Sequence, residues 1–285
     1  MNTINLYTAS LDKELEERGY IVLKSFLNKE AIDGLLNYYQ EIGLNSEKTQ
    51  PNYLYANPAL SKEISATIKS HLAKDFDKAF KTANLLGGVF MVKKPGEHKE
   101  VDFHQDWSLV EESKHTSYNL WCPLVGTSQE SGSLMLMEKS DKAGLFYRSA
   151  TLDPLEIKFD TKYEPFISSF DLNAGDAILY KHSLFHGSGN NSSAKDRIAI
   201  ACGIIPENAD FIYQNWNQEK SVIESYKVDN DFYIDHIFEV LSGKIPAKYQ
   251  IIAETPFVKK PVIDESIFYK RMRKLHNLKR FFFFD

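Results

Sequence analysis

At 285 residues the chain has the length of one large barrel or sandwich domain, or of two average domains. Its 43% hydrophobic and 26% charged residues are those of an ordinary globular protein with a sizeable core, which excludes intrinsic disorder. A net charge of −5 argues against nucleic-acid binding, and no apolar run reaches the length of a membrane span.

In chain order, Ser10 reads as the N-cap of a short helix that ends near Gly19. The β-rich run Tyr20-Ile-Val-Leu-Lys24 follows, and then residues 28–42 carry Ile32, Leu35, Leu36 and Tyr39 at helical spacing. Residues 59–81 repeat the 3.6-residue pattern through Leu60, Ile64, Ile68, Leu72, Phe76 and Phe80. Residues 1–86 are therefore expected to be largely helical and to pack on something flat. From 87 to 206 the texture changes to short β-rich runs, at 87–94, 116–125, 133–137, 176–180 and 197–205, punctuated by Gly, Ser, Asn and Asp. Such a pattern predicts an antiparallel sandwich or barrel, so the fold class is an all-β core with flanking helices (α+β).

Beyond Pro206 the sequence is aromatic and mixed, with a helix predicted at 231–243 through Phe232, Ile234, Ile237, Phe238 and Leu241; residues 207–285 are read as a helical extension. Residues 259–280 hold eight Lys or Arg against Asp264 and Glu265, followed by Phe281 to Phe284. The expected form is a terminal helix with a solvated basic face, the alternative being a docking tail for a membrane, a carrier protein or a second subunit. Cys122 and Cys202 lie 80 residues apart in apolar stretches, which fits buried free thiols better than a disulfide framework or a zinc site. The first 20 residues hold no signal-peptide apolar region, so a cytoplasmic location is expected.

The chemistry concentrates in His104-Gln105-Asp106. In an extended segment residues i and i+2 share a face, so imidazole and carboxylate converge while Gln105 turns away. One nitrogen and one hard oxygen suit a divalent first-row metal, and a third donor from a distant strand would complete a two-histidine, one-carboxylate facial triad. That donor is sought in the segment 175–197, which contains both His182 and His186 and ends at Arg197. Period alone does not choose between the two histidines; the Gly-Ser-Gly-Asn context and the spacing to Arg197 favour His186. The segment reads as a strand ending at His186, a polar loop, and a strand starting at Arg197, a pattern that would make the two residues neighbours in a hairpin. A guanidinium beside the metal can hold one carboxylate of a 2-oxo diacid while the other end chelates the metal. Arg197, Ala199, Ala201 and Gly203 share one strand face, and small side chains there leave volume for a ligand.

With these residues in view, the chain resembles the phytanoyl-CoA dioxygenase family of Fe(II)- and 2-oxoglutarate-dependent oxygenases. The likeness runs from Glu17-Arg-Gly-Tyr to about Pro206 and rests on His104-Gln-Asp106, His186-Gly-Ser188 and the downstream Arg197. It implies a double-stranded β-helix, a cupin-like jelly roll with the N-terminal helices packed on one sheet, in a single domain over 1–285 (1–86 helical, 87–206 core, 207–285 helical extension). It further implies Fe(II) on His104, Asp106 and His186, the distal carboxylate of 2-oxoglutarate on Arg197, and contributions to co-substrate binding from Ser188, Trp121, Phe90 and Asn119. The segment after Gly132-Ser-Leu departs from the family's usual turn, which leaves the substrate mouth open to difference.

The activity implied is O2-dependent hydroxylation of an unactivated C–H bond in a small-molecule or carrier-bound substrate, with 2-oxoglutarate converted to succinate. Because Asp106 is a carboxylate, no position is vacated for chloride, which favours hydroxylation over halogenation. Alternatives are a non-catalytic metal- and 2-oxo-acid-binding protein, and a protein-modifying hydroxylase. Trp107, Tyr118 and Lys93 are candidates for the substrate wall; His98 and His115 are given no role. No nucleic-acid partner and no stable membrane insertion are expected, and the chain is read as a monomer or homodimer.

Overall fold

The computed structural model describes residues 4, 6–44, 57–96, 100–144, 147–152, 156–158, 160–257 and 264–281. His98 and the phenylalanines at 282–284 lie outside them.

Two five-stranded antiparallel sheets face one another. The larger joins β1 (Tyr20–Leu23), β8 (Ala177–Lys181), β4 (Tyr118–Pro123), β10 (Arg197–Pro206) and β2 (Ala83–Lys93) in that order. The smaller joins β6 (Glu156–Ile157), β3 (Val101–His104), β9 (His186–Ser188), β5 (Leu134–Met137) and β7 (Ile167–Ser169). From β2 to β5, and again from β7 to β10, successive strands cross from one sheet to the other, which is the jelly-roll arrangement of a double-stranded β-helix.

Three N-terminal helices cover the outer face of the larger sheet: α1 (Ala9–Arg18), α2 (Lys29–Glu41) and α3 (Pro58–Ala79). The side chains of Asn28 and Asn57 cap α2 and α3 by accepting from Ala31 and Leu60, and Pro58 opens α3 where its missing N–H costs nothing. Ile64, Ile68, Leu72 and Phe76 of α3 are buried with Phe90, Val92, Ile200 and Cys202 of the sheet. The approach is close enough that a Cβ on Gly88 would meet Ile68 at 2.5 Å. The predicted cap at Ser10 is corrected: α1 starts at Ala9 behind an extended Thr8, and Ser10 lies inside the helix.

Three further corrections concern the sequence reading. The strand expected to end at His186 is two, β8 and β9, separated by a turn that carries His182. The predicted hairpin does not form, because β9 pairs with β3 and β5 in the smaller sheet while β10 pairs with β2 and β4 in the larger. The extension past Pro206 is not simply helical: β11 (Ile212–Asn217), β12 (Val222–Lys227) and β13 (Ile251–Pro256) form a third antiparallel sheet around α4 (Phe232–Leu241). Apolar alternation is masked there by buried polar residues. Glu224, for example, accepts hydrogen bonds from Asn217, Tyr226, Lys220 and Asn215.

The last helix, α5 (Glu265–Phe281), covers the outer face of the smaller sheet, where Phe268 and Met272 are buried among Phe103, Met137, Ile157 and Phe185. Lys270, Arg273 and Lys274 remain exposed, as a solvated basic face requires. No helix among the described residues is long and apolar enough to cross a membrane.

Candidate functional site

Between the two sheets runs a cavity of about 520 Å³. Strand register brings its polar residues together. His104 and His186 are direct partners across β3 and β9, with ring centroids 4.3 Å apart. A Cβ on the next residue, Gly187, would meet the Val101 carbonyl at 2.4 Å, so the motif's glycine is what lets β9 lie this close. Asp106 follows two residues after His104, its N–H held by the His182 carbonyl at 3.0 Å. One ligand atom from each of His104, Asp106 and His186 lies within 4.8 Å of the others.

The imidazoles are pre-set for such a role. Each Nδ1 lies 3.0 Å from a backbone carbonyl, Asp102 for His104 and Leu184 for His186. A carbonyl only accepts, so each Nδ1 carries the proton and Nε2 is left as the free donor atom. Burial alone would raise the Asp106 carboxyl, but His186, His182 and His104 outweigh it and hold it well below the usual carboxylate range. Burial also opposes charge on His104, which is lowered, whereas Asp106 outweighs burial at His186 and raises it.

The second oxygen of Asp106 is held separately. Asn119 donates Nδ2 to Oδ2 at 3.2 Å, and Nε2 of His182 stands 4.0 Å away. His182 is anchored through Nδ1 to the Ser117 hydroxyl at 2.9 Å, and burial pushes its pKa down to about 4, so it is neutral at physiological pH. The Asp106 carbonyl accepts from Nε of Arg148 at 2.7 Å, and Arg148 is itself paired with Glu112. Sequence reasoning missed Arg148 and Glu112, which sit in loops where neither period nor motif marks them.

Arg197, only 4% exposed, occupies one end of the cavity. Its NH1 donates to the Gly132 carbonyl at 2.7 Å, and its guanidinium lies 5.5 Å from the centre of the Trp121 ring. Nε has no partner, and no carboxylate pairs with this cation among the described residues. Burial lowers its pKa to about 10, still high enough to keep the charge. Ser188 lines the same end and accepts from the buried Lys93 ammonium at 2.8 Å, so its own proton remains free to be donated.

The remaining predicted positions divide. Asn119 and Trp121 line the cavity, Asn119 through its contact with Asp106. Phe90 does not: it packs on the opposite sheet face, 5.2 Å from the Tyr39 ring of α2, because the alternation of β2 sends Val89 and Met91 inward instead. Tyr118 is likewise corrected, being buried in the core beneath the helices. Trp107 lines the cavity, and Lys93 reaches it only through Ser188.

Two imidazole nitrogens and one carboxylate on a shared face fit a divalent first-row metal with open positions, and the buried guanidinium fits a carboxylate. Comparison with known proteins agrees with this chemistry. A family model described as phytanoyl-CoA dioxygenase (PhyH) matches residues 15–199. Phytanoyl-CoA dioxygenase 1 of Oryza sativa subsp. japonica is 25% identical over 66% of this chain and 67% of its own length. Phytanoyl-CoA dioxygenase of Arabidopsis thaliana is 24% identical over 73% of this chain and 92% of its own. Among solved structures, HygX from Streptomyces hygroscopicus, with nickel and 2-oxoglutarate bound, superposes with a TM-score of 0.52 at 17% identity, over 72% of this chain and 89% of that one. EvdO2 from Micromonospora carbonacea var. aurantiaca gives 0.50 at 16% identity, over 72% and 94%. These two likenesses are of fold.

Proposed function

The chain belongs to the phytanoyl-CoA dioxygenase family of Fe(II)- and 2-oxoglutarate-dependent oxygenases, and on that premise we propose that it hydroxylates an unactivated C–H bond of a small molecule, holding Fe(II) on His104, Asp106 and His186. One observation carries the reading. A cluster of two histidines and a carboxylate shares a cavity with a buried arginine that has no acidic partner among the described residues. Bound there, Fe(II) with O2 and 2-oxoglutarate supplies the oxidising power, and the co-substrate leaves as succinate and CO2.

The chain's own residues orient and shield. Arg197 takes the distal carboxylate of 2-oxoglutarate, with the Ser188 hydroxyl donating beside it and Lys93 fixing that hydroxyl's direction. Trp121 covers the guanidinium and keeps water from it. Asn119 holds the outer oxygen of Asp106, leaving the inner one to the metal. Because that ligand is a carboxylate, the reaction is hydroxylation in preference to halogenation. The reading takes residues 1–285 as one domain, since strands from 83 to 206 and the segment 211–237 line one cavity. The free, buried Cys122 and Cys202 support a reducing, cytoplasmic setting.

The test is succinate release from 2-oxoglutarate by Fe(II)-loaded protein exposed to air. Slow uncoupled turnover is expected, lost in His186→Ala. Absence of turnover together with absence of 2-oxoglutarate binding would overturn the reading.

A further inference from the structure

The cavity has a second end that the reaction's fixed components do not use. Past the His104, Asp106 and His186 cluster it continues between Trp107, Leu109, Phe211, Tyr233, Ile234 and Ile237. Phe211 and Ile234 belong to the buried interior of the protein, and Ile237 is only 3% exposed, so these side chains are fixed by packing. Trp107 stacks near Tyr233 at 5.8 Å, and Tyr233 lies 5.6 Å from Phe211, forming a continuous aromatic wall. Opposite stands Gly87, where a Cβ would come within 3.4 Å of Ile234. Four of these six wall residues come from the segment 211–237, beyond the last residue of the family match at 199.

Charge at the mouth is as informative as the wall. Asn230 lines the cavity and is exposed, so it marks the rim, and it is flanked by Asp229 and Asp231, with Asp235 one turn into α4. Two nearby cations among the described residues are already engaged: Lys62 with Asp235 at 2.9 Å and Asp231 at 3.9 Å, Lys248 with Asp229 at 3.3 Å. Among the described residues lining the cavity, Arg197 is the one permanently charged cation, and it stands at the other end. An anionic group entering here would be stripped of water against apolar walls and would meet a rim with more acid than free base.

We propose that this end is the substrate chamber, that its occupant is a neutral, predominantly apolar molecule or moiety, and that α4 with Phe211 is the element that selects it. The proposal rests on the function proposed above, which fixes where the reactive position lies. Apolar walls bind such a group in proportion to the area they cover, while Asn230 offers one polar contact at the mouth.

The experiment measures binding of three probes with one carbon chain, 1-decanol, decanoate and decyl phosphate, to the Fe(II)- and 2-oxoglutarate-loaded protein without oxygen. Decanol is expected to bind at least about tenfold more tightly than decyl phosphate, with decanoate between them. Ile237→Asp should weaken decanol by about tenfold or more, and Ile237→Ala, which introduces no buried charge, by a smaller factor in the same direction. Thermal melting of both variants is recorded alongside, so that loss of fold is distinguished from loss of binding. Equal or tighter binding of decyl phosphate by the wild type, or decanol binding indifferent to both substitutions in folded protein, would overturn the proposal. Binding of 2-oxoglutarate by the wild type is read in the same titration, so failure of the underlying function is seen separately from failure of the chamber.

Discussion

The two ends of the cavity are built on opposite principles. At one, a guanidinium 4% exposed to water, a buried hydroxyl and the three side chains proposed as metal ligands are packed together, and Nε of Arg197 has no partner among the described residues. At the other, the walls are aromatic and aliphatic, and their packing is that of a core. A fold gains little from the first end, because taking a charge out of water without an acidic partner costs stability. It gains much from the second. On the proposed reading, the polar end is kept for its ligands, and the apolar end holds the protein together while shaping its substrate.

That contrast is broken or sharpened by substitution. The largest effect belongs to His186→Ala, which removes one of the three proposed ligands; Fe(II) or Co(II) binding measured by titration should fall by orders of magnitude, and succinate formation should vanish with it. Arg197→Leu comes next. It should weaken 2-oxoglutarate by the equivalent of about 2–5 kcal/mol, roughly 30- to several-thousand-fold, as read by the concentration required for succinate release. The same substitution should raise the melting temperature of the ligand-free protein, since it replaces a buried cation that has no acidic partner among the described residues with an apolar side chain. A lowered melting temperature would contradict the contrast. Phe232→Ala at the apolar end should do the reverse, costing about 3–5 kcal/mol in chemical unfolding, because a fully buried ring is lost.

Smaller effects follow. Asn119→Ala frees the outer oxygen of Asp106 and should lower metal affinity by about 10- to 100-fold with the melting temperature little changed. Glu224, in the third sheet, sets a pH dependence of stability. Although burial alone would raise it, donors from Asn217, Tyr226, Lys220 and Asn215 hold its carboxyl below the ordinary 4.5. A carboxyl lowered on folding stabilises fully above its unfolded value, and the contribution is lost as pH falls below about 4.5. Unfolding at a series of acid pH values should show a shallower decline in Glu224→Gln.

The two ends also differ in how far the sequence reveals them. His104, Asp106, His186 and Arg197 stand out because their donor types and spacing restrict the chemistry. The predicted hairpin between His186 and Arg197 fails since pairing partners are set by the whole sheet, and the two residues line one lumen from different sheets instead. Phe90, which the family resemblance places at the co-substrate, lies on the helix-covered face because the alternation of β2 turns Val89 and Met91 inward. At the apolar end Ile234 and Ile237 show ordinary helical period, and nothing in a period separates a side chain lining a chamber from one filling a core. The helices within residues 1–86 are legible through their apolar stripes, whereas β11 and β12 are hidden by buried Gln214, Asn215 and Glu224, and β13 is almost wholly exposed and shows no buried alternation.

The central claim is that the buried cation and the ligand cluster serve one co-substrate. It is tested most directly by anaerobic titration of Fe(II)-loaded protein with 2-oxoglutarate, followed by the visible absorption that appears when a 2-oxo acid chelates iron, in wild type beside Arg197→Leu. The account predicts saturable binding in the wild type and a displacement of the curve to at least about 30-fold higher concentration in the variant. Binding that is unchanged by loss of the guanidinium, or no binding by the metal-loaded wild type, would contradict it.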